Sequence, residues 1–210
     1  MPNYKIFFIG PQGSGKGTQA EILGKKFELP LITPGNIFRE EKSTNTELGK
    51  TVASFIDKGQ LVPDDITNEI VRTRLLSPEY ADAFILDGYP RNEIQAFALD
   101  TITPLTHVIE IDLSEEEAIK RIANRLVCSR GHVYHTIFKR PVQENICDID
   151  FEPLFQRDDD KEAAIKKRLE IYQNDTKPIL ARYKKMGIHY YIDGAQTIDD
   201  TAQAIENIFN

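Results

Sequence analysis

The sequence predicts a three-layer α/β fold: a doubly wound parallel sheet of five strands with helices on both faces. Three observations predict it. Short apolar runs recur along the 210 residues at 5–9, 29–33, 83–87, 107–112 and 188–192, as expected for strands buried on both sides. Segments of helical periodicity separate them, and strands that alternate with helices form parallel sheets. The first run breaks into a glycine-rich loop that leads directly into a helix. Ligands of such sheets sit at the carboxyl ends of the strands. The loop at 10–18, Asp87-Gly88 and Asp193-Gly194 each follow a strand, so they are expected to meet at one edge.

Each element has its own warrant. Lys5–Ile9 is a strand rich in Ile and Phe. The helix that follows, 15–27, carries Ile22, Leu23 and Phe27 on its apolar face. Helical patterns cover about 35–42, 47–58 and 64–76, separated by Ser-Thr-Asn and by Gly59 to Pro63. The run 83–87 ends in Asp-Gly, and 92–99 is helical. After the strand 107–112, Ser114 caps a helix reaching about 126, with Glu117 at the capping-box spacing. The Glu115–Glu117 run complements the dipole of that helix. Residues 127–157 replace helical periodicity with Gly, His, Tyr, Pro and β-branched residues, which predicts a small β-rich insert. A charged helix covers 159–185, and 197–209 closes the chain. His107, His189 and the Tyr190-Tyr191 pair read as structural.

Composition limits the possible functions. Hydrophobic residues make up 40% and charged ones 28%, with a net charge of −7, so nonspecific nucleic-acid or membrane binding is not expected. An anionic substrate must then be captured by a local basic cluster. No apolar run approaches the ~20 residues of a membrane helix. The chain enters its first strand without a signal sequence, so a cytoplasmic location is expected. Cys128 and Cys147 could pair, but reduced thiols or metal ligands suit that compartment better.

The stretch Gly10-x4-Gly15-Lys16 is the phosphate-cradling loop of nucleotide-binding enzymes. Its glycines let backbone N–H groups converge on an anion, and the next helix offers its N-terminus to the same phosphates. Lys16 supplies a mobile point charge. The hydroxyl comes two residues after the lysine, at Thr18, with Gly17 between. A second cluster, Asp87-Gly88-Tyr89-Pro90-Arg91 with Gln95, sits at another strand end. Asp87 there can hold Mg²⁺. Arg91 presents a planar fork for a phosphate, and Gln95 can donate and accept at a base edge.

In these two clusters, and in Thr33-Pro-Gly-Asn-Ile-Phe-Arg39, Gly59-Gln-Leu-Val-Pro-Asp64 and Arg157-Asp-Asp159 with Arg168, the chain resembles the adenylate kinases. The resemblance runs from about residue 4 to the C-terminus. It implies a P-loop NTPase-type core (1–33, 64–124 and 161–210), a helical flap over the monophosphate (34–63) and a lid (125–160). It also implies reversible phosphoryl transfer from MgATP to AMP, giving two ADP; nothing in the sequence demands more than a monomer. Gly13, Ser14, Gly15, Lys16, Gly17 and Thr18 would bind the ATP phosphates. Arg121 and Arg125 would lie over ATP, with Val133 and Tyr134 from the lid and Gln196 at the adenine. Arg39, Arg91 and Arg168 would hold the AMP phosphate, and Arg157 would bridge toward the transferred group. Gln95 would read adenine, while Thr33, Pro34, Gln60, Leu61, Val62, Gly88, Tyr89 and Pro90 would line the AMP pocket. Arginines are also what the chemistry requires, since two polyphosphates repel and transfer needs alignment and charge neutralisation. For Arg121 and Arg168, both in charged helices, a solvated surface role is the competing reading.

One departure concerns AMP. Pro34 stands where the family places an adenine-contacting threonine, removing a hydroxyl and an N–H. Either Thr33 compensates or AMP binds more weakly, so another nucleoside monophosphate kinase is the nearest alternative. A nucleotide switch without turnover is the more distant one, and it would have no use for so many arginines. Lids of the family are held by zinc or by a polar network. Cys147-x2-Asp150 fits the second half of a zinc pattern, whereas Cys128 lacks a second cysteine; His132, or in competition His135, would complete a Cys/His/Cys/Asp set.

Overall fold

The computed structural model describes residues 3–43, 46–56, 62–157, 160 and 162–210. Alternation along the first strand, β1 (Lys5–Ile9), sets the layering. Phe7 and Ile9 point into one apolar cluster with Leu86, Leu99 and Tyr183. Ile6 and Phe8 point into another with Leu23, Ile109, Ile111 and Ile205. A strand with both faces buried needs helices on both sides. Helix α1 (Lys16–Phe27) follows β1 directly.

The remaining elements of the sheet are β2 (Leu31–Ile32), β3 (Phe84–Asp87), β4 (His107–Asp112) and β7 (His189–Asp193). The order is β2-β3-β1-β4-β7, and all pairs are parallel. This is the five-stranded, doubly wound α/β sheet read from the sequence. β2 is shorter than the run 29–33 suggests: Pro30 has no N–H for the ladder, although its carbonyl accepts from Ile85 N at 2.9 Å. Helices α2 (Pro34–Ser43), α3 (Glu47–Ile56), α4 (Asp64–Leu75) and α5 (Glu93–Ile102) lie between β2 and β4. Pro34 opens α2, where its missing N–H has no intrahelical partner to lose.

Helix α6 (Glu115–Ala123) begins as expected, with Ser114 Oγ accepting from Glu117 N at 3.3 Å. It stops earlier than 126. From Arg125 the chain is extended, as β5 (Arg125–Val127) pairs antiparallel with β6 (Val133–His135). These strands and the bridges Val127–Phe155 and Ile146–Pro153 form the β-rich insert. Its core is small: Cys128, Tyr134, Cys147 and Leu154, with Leu126 against them.

The expected helix over 159–185 is not continuous. After α7 (Glu162–Ile171) the chain widens into a π turn at Tyr172–Thr176, tightens into a 3₁₀ turn at Lys177–Ile179, and resumes as α8 (Leu180–Lys185). Pro178 is the cause, because it cannot donate to an i−4 carbonyl and its ring crowds that carbonyl. Helix α9 (Ile198–Glu206), capped by Thr197, packs beside α1. Among the described residues no helix is long and apolar enough to cross a membrane.

Candidate active site

The loop after β1 is shaped by close approaches. Gly13 has φ +83°, and a Cβ there would lie 2.8 Å from the Ala118 carbonyl oxygen of α6. At Gly17 a Cβ would come 3.3 Å from Asp87 Oδ2. A glycine directly after the lysine therefore lets the β3 carboxylate reach the start of α1. α1 opens on Gly15 with no side-chain cap and no acid in its first turn. Its N–H groups and dipole are left for an anion.

Lys16 lies in the middle of this arrangement. Its Nζ donates to the Pro11 carbonyl at 2.7 Å. Burial brings its pKa down to about 8; Asp87 opposes the shift, and Arg91, Arg125 and Arg168 add to it. Those couplings place five expected site residues around one point. Burial also raises the Asp87 carboxyl, against the pull of Lys16 and Arg91. Gly194, after β7, packs onto the same loop: a Cβ there would be 3.4 Å from the Ser14 carbonyl oxygen. The three strand ends thus meet.

Arg125 and Arg168 share one acid. Arg125 Nε donates to Asp160 Oδ2 at 2.8 Å, its second nitrogen pairs with Oδ1, and Arg168 Nη1 reaches Oδ1 at 3.4 Å. The Asp160 side chain is fully buried. Asp160 itself donates its N–H to the Arg157 carbonyl at 3.1 Å. Sequence reasoning stopped at Asp159, because a run of three acids reads as a solvated face.

A second cleft lies beside the loop. Pro34, Phe38, Val62, Thr67, Gly88, Arg91, Gln95 and Asp175 are among the residues lining it. Arg91 Nε donates to the Gly88 carbonyl at 2.7 Å. Gln95 is fixed at both ends: Oε1 accepts from Arg91 N, and Nε2 donates to Asp64 Oδ1, each at 2.7 Å. Asp64, which opens α4, is a member the sequence offered without a role. Tyr89 is fully buried, its hydroxyl 2.8 Å from Asn68 Oδ1, and its bond to Pro90 is cis. Thr33 keeps its carbonyl on Asn36 N and Ile37 N. Gln60 and Leu61 lie outside the described residues, as does the side chain of Arg39.

On the lid side, Arg121 donates from Nη1 to the Gly194 carbonyl at 2.9 Å and pairs with Glu117 at 3.2 Å. Its guanidinium lies over Phe138. It is held in place rather than solvated. Gln196 is exposed beside the same turn, and Val133 is half-buried. The Tyr134 side chain is buried in the core of the β-rich insert, its hydroxyl 3.5 Å from Cys147 Sγ. The lid also faces the helices opposite, since Asn36 Oδ1 is 3.8 Å from where a Cβ of Gly131 would sit.

Inside the lid, Cys128, His132, Cys147 and Asp150 converge, their ligand atoms all within 4.8 Å of one another. Cys128 Sγ lies 3.3 Å from His132 Nδ1 and 3.1 Å from Asp150 Oδ2. Cys147 Sγ lies 3.4 Å from the same nitrogen. Edges of a tetrahedral zinc site run from about 3.3 Å between N and O ligands to about 3.8 Å between sulfurs, given its bond lengths. The set fits a cation of that size and preference. His135 does not belong to it: its Nδ1 accepts from Ile137 N and Phe138 N. A thiol hydrogen bond from Cys147, joined by Cys128 and His132, holds the Asp150 carboxyl well below the usual range despite desolvation.

A glycine-shaped anion cradle, a lysine tuned by burial and an arginine lining the neighbouring cleft are the parts of a P-loop phosphotransferase. The family model for adenylate kinase matches residues 8–188. Adenylate kinases from Streptomyces avermitilis, Archaeoglobus fulgidus and Caldanaerobacter subterraneus subsp. tengcongensis are 40%, 42% and 44% identical to the chain. These alignments cover 95%, 97% and 96% of it, and 94%, 96% and 94% of the relatives. The chain belongs to the adenylate kinase family, and its activity is ATP:AMP phosphotransfer.

Proposed function

We propose that the phosphotransfer takes place between the two clefts that meet at Lys16. The loop 13–18 holds the ATP phosphates, and Arg39, Arg91 and Arg168 hold the AMP phosphate. Arg125 and Arg157 neutralise the group in flight. The observation that carries this reading is the sharing of the buried Asp160 by Arg125 and Arg168, whose charges bear on Lys16 together with those of Asp87 and Arg91. Transfer of this kind needs alignment and charge compensation more than covalent help. Asp87 would hold the Mg²⁺ of MgATP, directly or through water, and that ion would supply charge neutralisation on the phosphates.

Gln95 serves the AMP base with Thr33, Pro34 and Val62 around it, and Arg121 with Gln196 covers the ATP adenine. Residues 34–63 act as a flap over AMP and 125–160 as a lid over ATP, together excluding water that would hydrolyse ATP. Cys128, His132, Cys147 and Asp150 are the residues that would hold a structural zinc, replacing an apolar core the lid is too small to build. A monomer suffices for all of this, and adenine nucleotides as substrates fit work in the cytoplasm.

A coupled assay with MgATP and a panel of monophosphates tests the substrate. ADP formed from AMP well ahead of UMP, CMP and GMP is the expected result. Preference for a pyrimidine would transfer the reading to the nearest alternative. In the same assay Lys16→Ala and Arg91→Ala are each expected to remove most activity while the melting curve stays cooperative.

A further inference from the structure

The π turn at Tyr172–Thr176, set by Pro178 just beyond it, lies directly after the helix that carries Arg168. Its last residue, Thr176, is 8% exposed and donates from Oγ1 to the main-chain carbonyl of Arg91 at 2.7 Å. Helical threonines ordinarily spend the hydroxyl on a carbonyl of their own helix. Thr51, Thr101 and Thr201 do so here, on Glu47, Ala98 and Thr197. Thr176 instead reaches a loop 85 residues away in sequence.

The change of register makes this possible. In an unbroken α-helix, Thr176 would stand about 80° around the axis from Arg168, eight residues earlier at 3.6 per turn. One extra residue taken up by a π turn returns it to roughly the same face. The carbonyl of Arg91 is then pinned by Thr176 while its N–H is pinned by Gln95 Oε1. The Arg91 peptide is held between α5 and the α7 side of the cleft, and Ile171 and Asp175 of that side line the cleft with it.

We infer that Thr176 is a positioning residue for the monophosphate clamp: through it the π turn fixes the Arg91 main chain in one frame with Arg168. This rests on the reading above that Arg91 holds the monophosphate. The two arginines must address one small anion, and an error of ~1 Å between their anchors weakens both contacts.

The test compares Thr176→Val, which keeps the shape and removes the hydroxyl, with Thr176→Ser, which keeps the hydroxyl. Loss of one buried neutral hydrogen bond corresponds to roughly a 3- to 10-fold loss of affinity. Thr176→Val is expected to raise KM for AMP by that factor and leave KM for ATP within twofold. Thr176→Ser is expected to recover most of the loss. Equal rises in both KM values, or a lower melting temperature with both unchanged, would overturn the proposal. Arg91→Ala, measured alongside, separates the two levels: if it leaves KM for AMP unchanged, the phosphate role of Arg91 falls. If it raises KM for AMP steeply while Thr176→Val does nothing, only the positioning role falls.

Discussion

Binding of MgATP should draw a proton from solvent at alkaline pH, and Lys16 is the group that takes it. In the ligand-free protein burial holds its pKa at about 8, with Asp87 as partial compensation and three arginines working against it. A triphosphate beside Nζ favours the charged form and restores the pKa toward its ordinary value of 10.5. The uptake equals the fraction of Lys16 that is neutral before binding. It is about 0.5 proton at pH 8, about 0.9 at pH 9 and below about 0.05 at pH 6.5. Calorimetric titration with MgATP alone, in two buffers of different ionisation enthalpy, measures it without turnover because no acceptor is present. Lys16→Arg keeps a cation that cannot lose its proton, so its uptake should be flat across this range. A wild-type protein with no uptake at pH 8.5, or a Lys16→Arg variant with the same uptake, would refute the placement of Lys16 against the phosphates. The direction for stability follows from the same numbers. Between pH 8 and 10.5 the unfolded chain binds this proton more fully than the folded one, so the cost of burying a charged Lys16 fades as pH rises through that window.

Three further outcomes are expected. Protein purified without chelator should carry about one zinc per chain, and EDTA or Cys147→Ser should lower its melting temperature; metal-free protein with an unmoved melt would reduce the lid cluster to a hydrogen-bonded one. Asp160→Asn leaves Arg125 and Arg168 without their shared acid, which should cost about 3 kcal/mol and lower the melting temperature by roughly 6–12 °C. Its kcat should fall with it, and near-wild-type values of both would show that the acid is dispensable. The Tyr183 hydroxyl is buried without a hydrogen-bond partner among the described residues, so Tyr183→Phe should match or exceed wild type in stability by up to about 1 kcal/mol. A loss beyond that in calorimetry would mean the phenol is satisfied after all.

What the sequence revealed was what local physics determines. The first strand, the loop and the start of α1 are adjacent in the chain, and each residue there has a reason that does not depend on distant partners. The four residues of the Cys128/His132/Cys147/Asp150 cluster were legible because metal spacing is also short-range, although only the fold distinguishes His132 from His135, whose ring nitrogen the next turn uses. The strand that begins at Arg125 was missed because its pairing with His135 overrides a helical pattern. Asp64, Asp160 and Thr176 were missed for the same kind of reason. An acid or a hydroxyl carries no sign of its partner until the chain has folded, and Thr176 depends in addition on a register change that begins four residues before it.

The ligand-free cations of the site divide by what they hold. Lys16 donates to the neutral backbone carbonyl of Pro11. Arg125 and Arg168 are held by a carboxylate. A phosphate oxygen is a stronger acceptor than a neutral carbonyl, since charge-assisted bonds are roughly twice as strong as neutral ones. Lys16 can therefore exchange its partner at a gain when nucleotide arrives. Arg125 and Arg168 cannot trade a carboxylate for a phosphate at the same gain, so Asp160 keeps those two guanidiniums oriented and offsets part of their charge. The offset matters for a reversible reaction. Cations with no counter-charge would grip ground-state ADP as firmly as the transferring group, and uniform binding of that kind does not raise kcat. If Arg125 and Arg168 act on the group in transfer as proposed, a buried acid between them would lower the field felt by resting nucleotide and leave their remaining donors for the charge that develops during transfer.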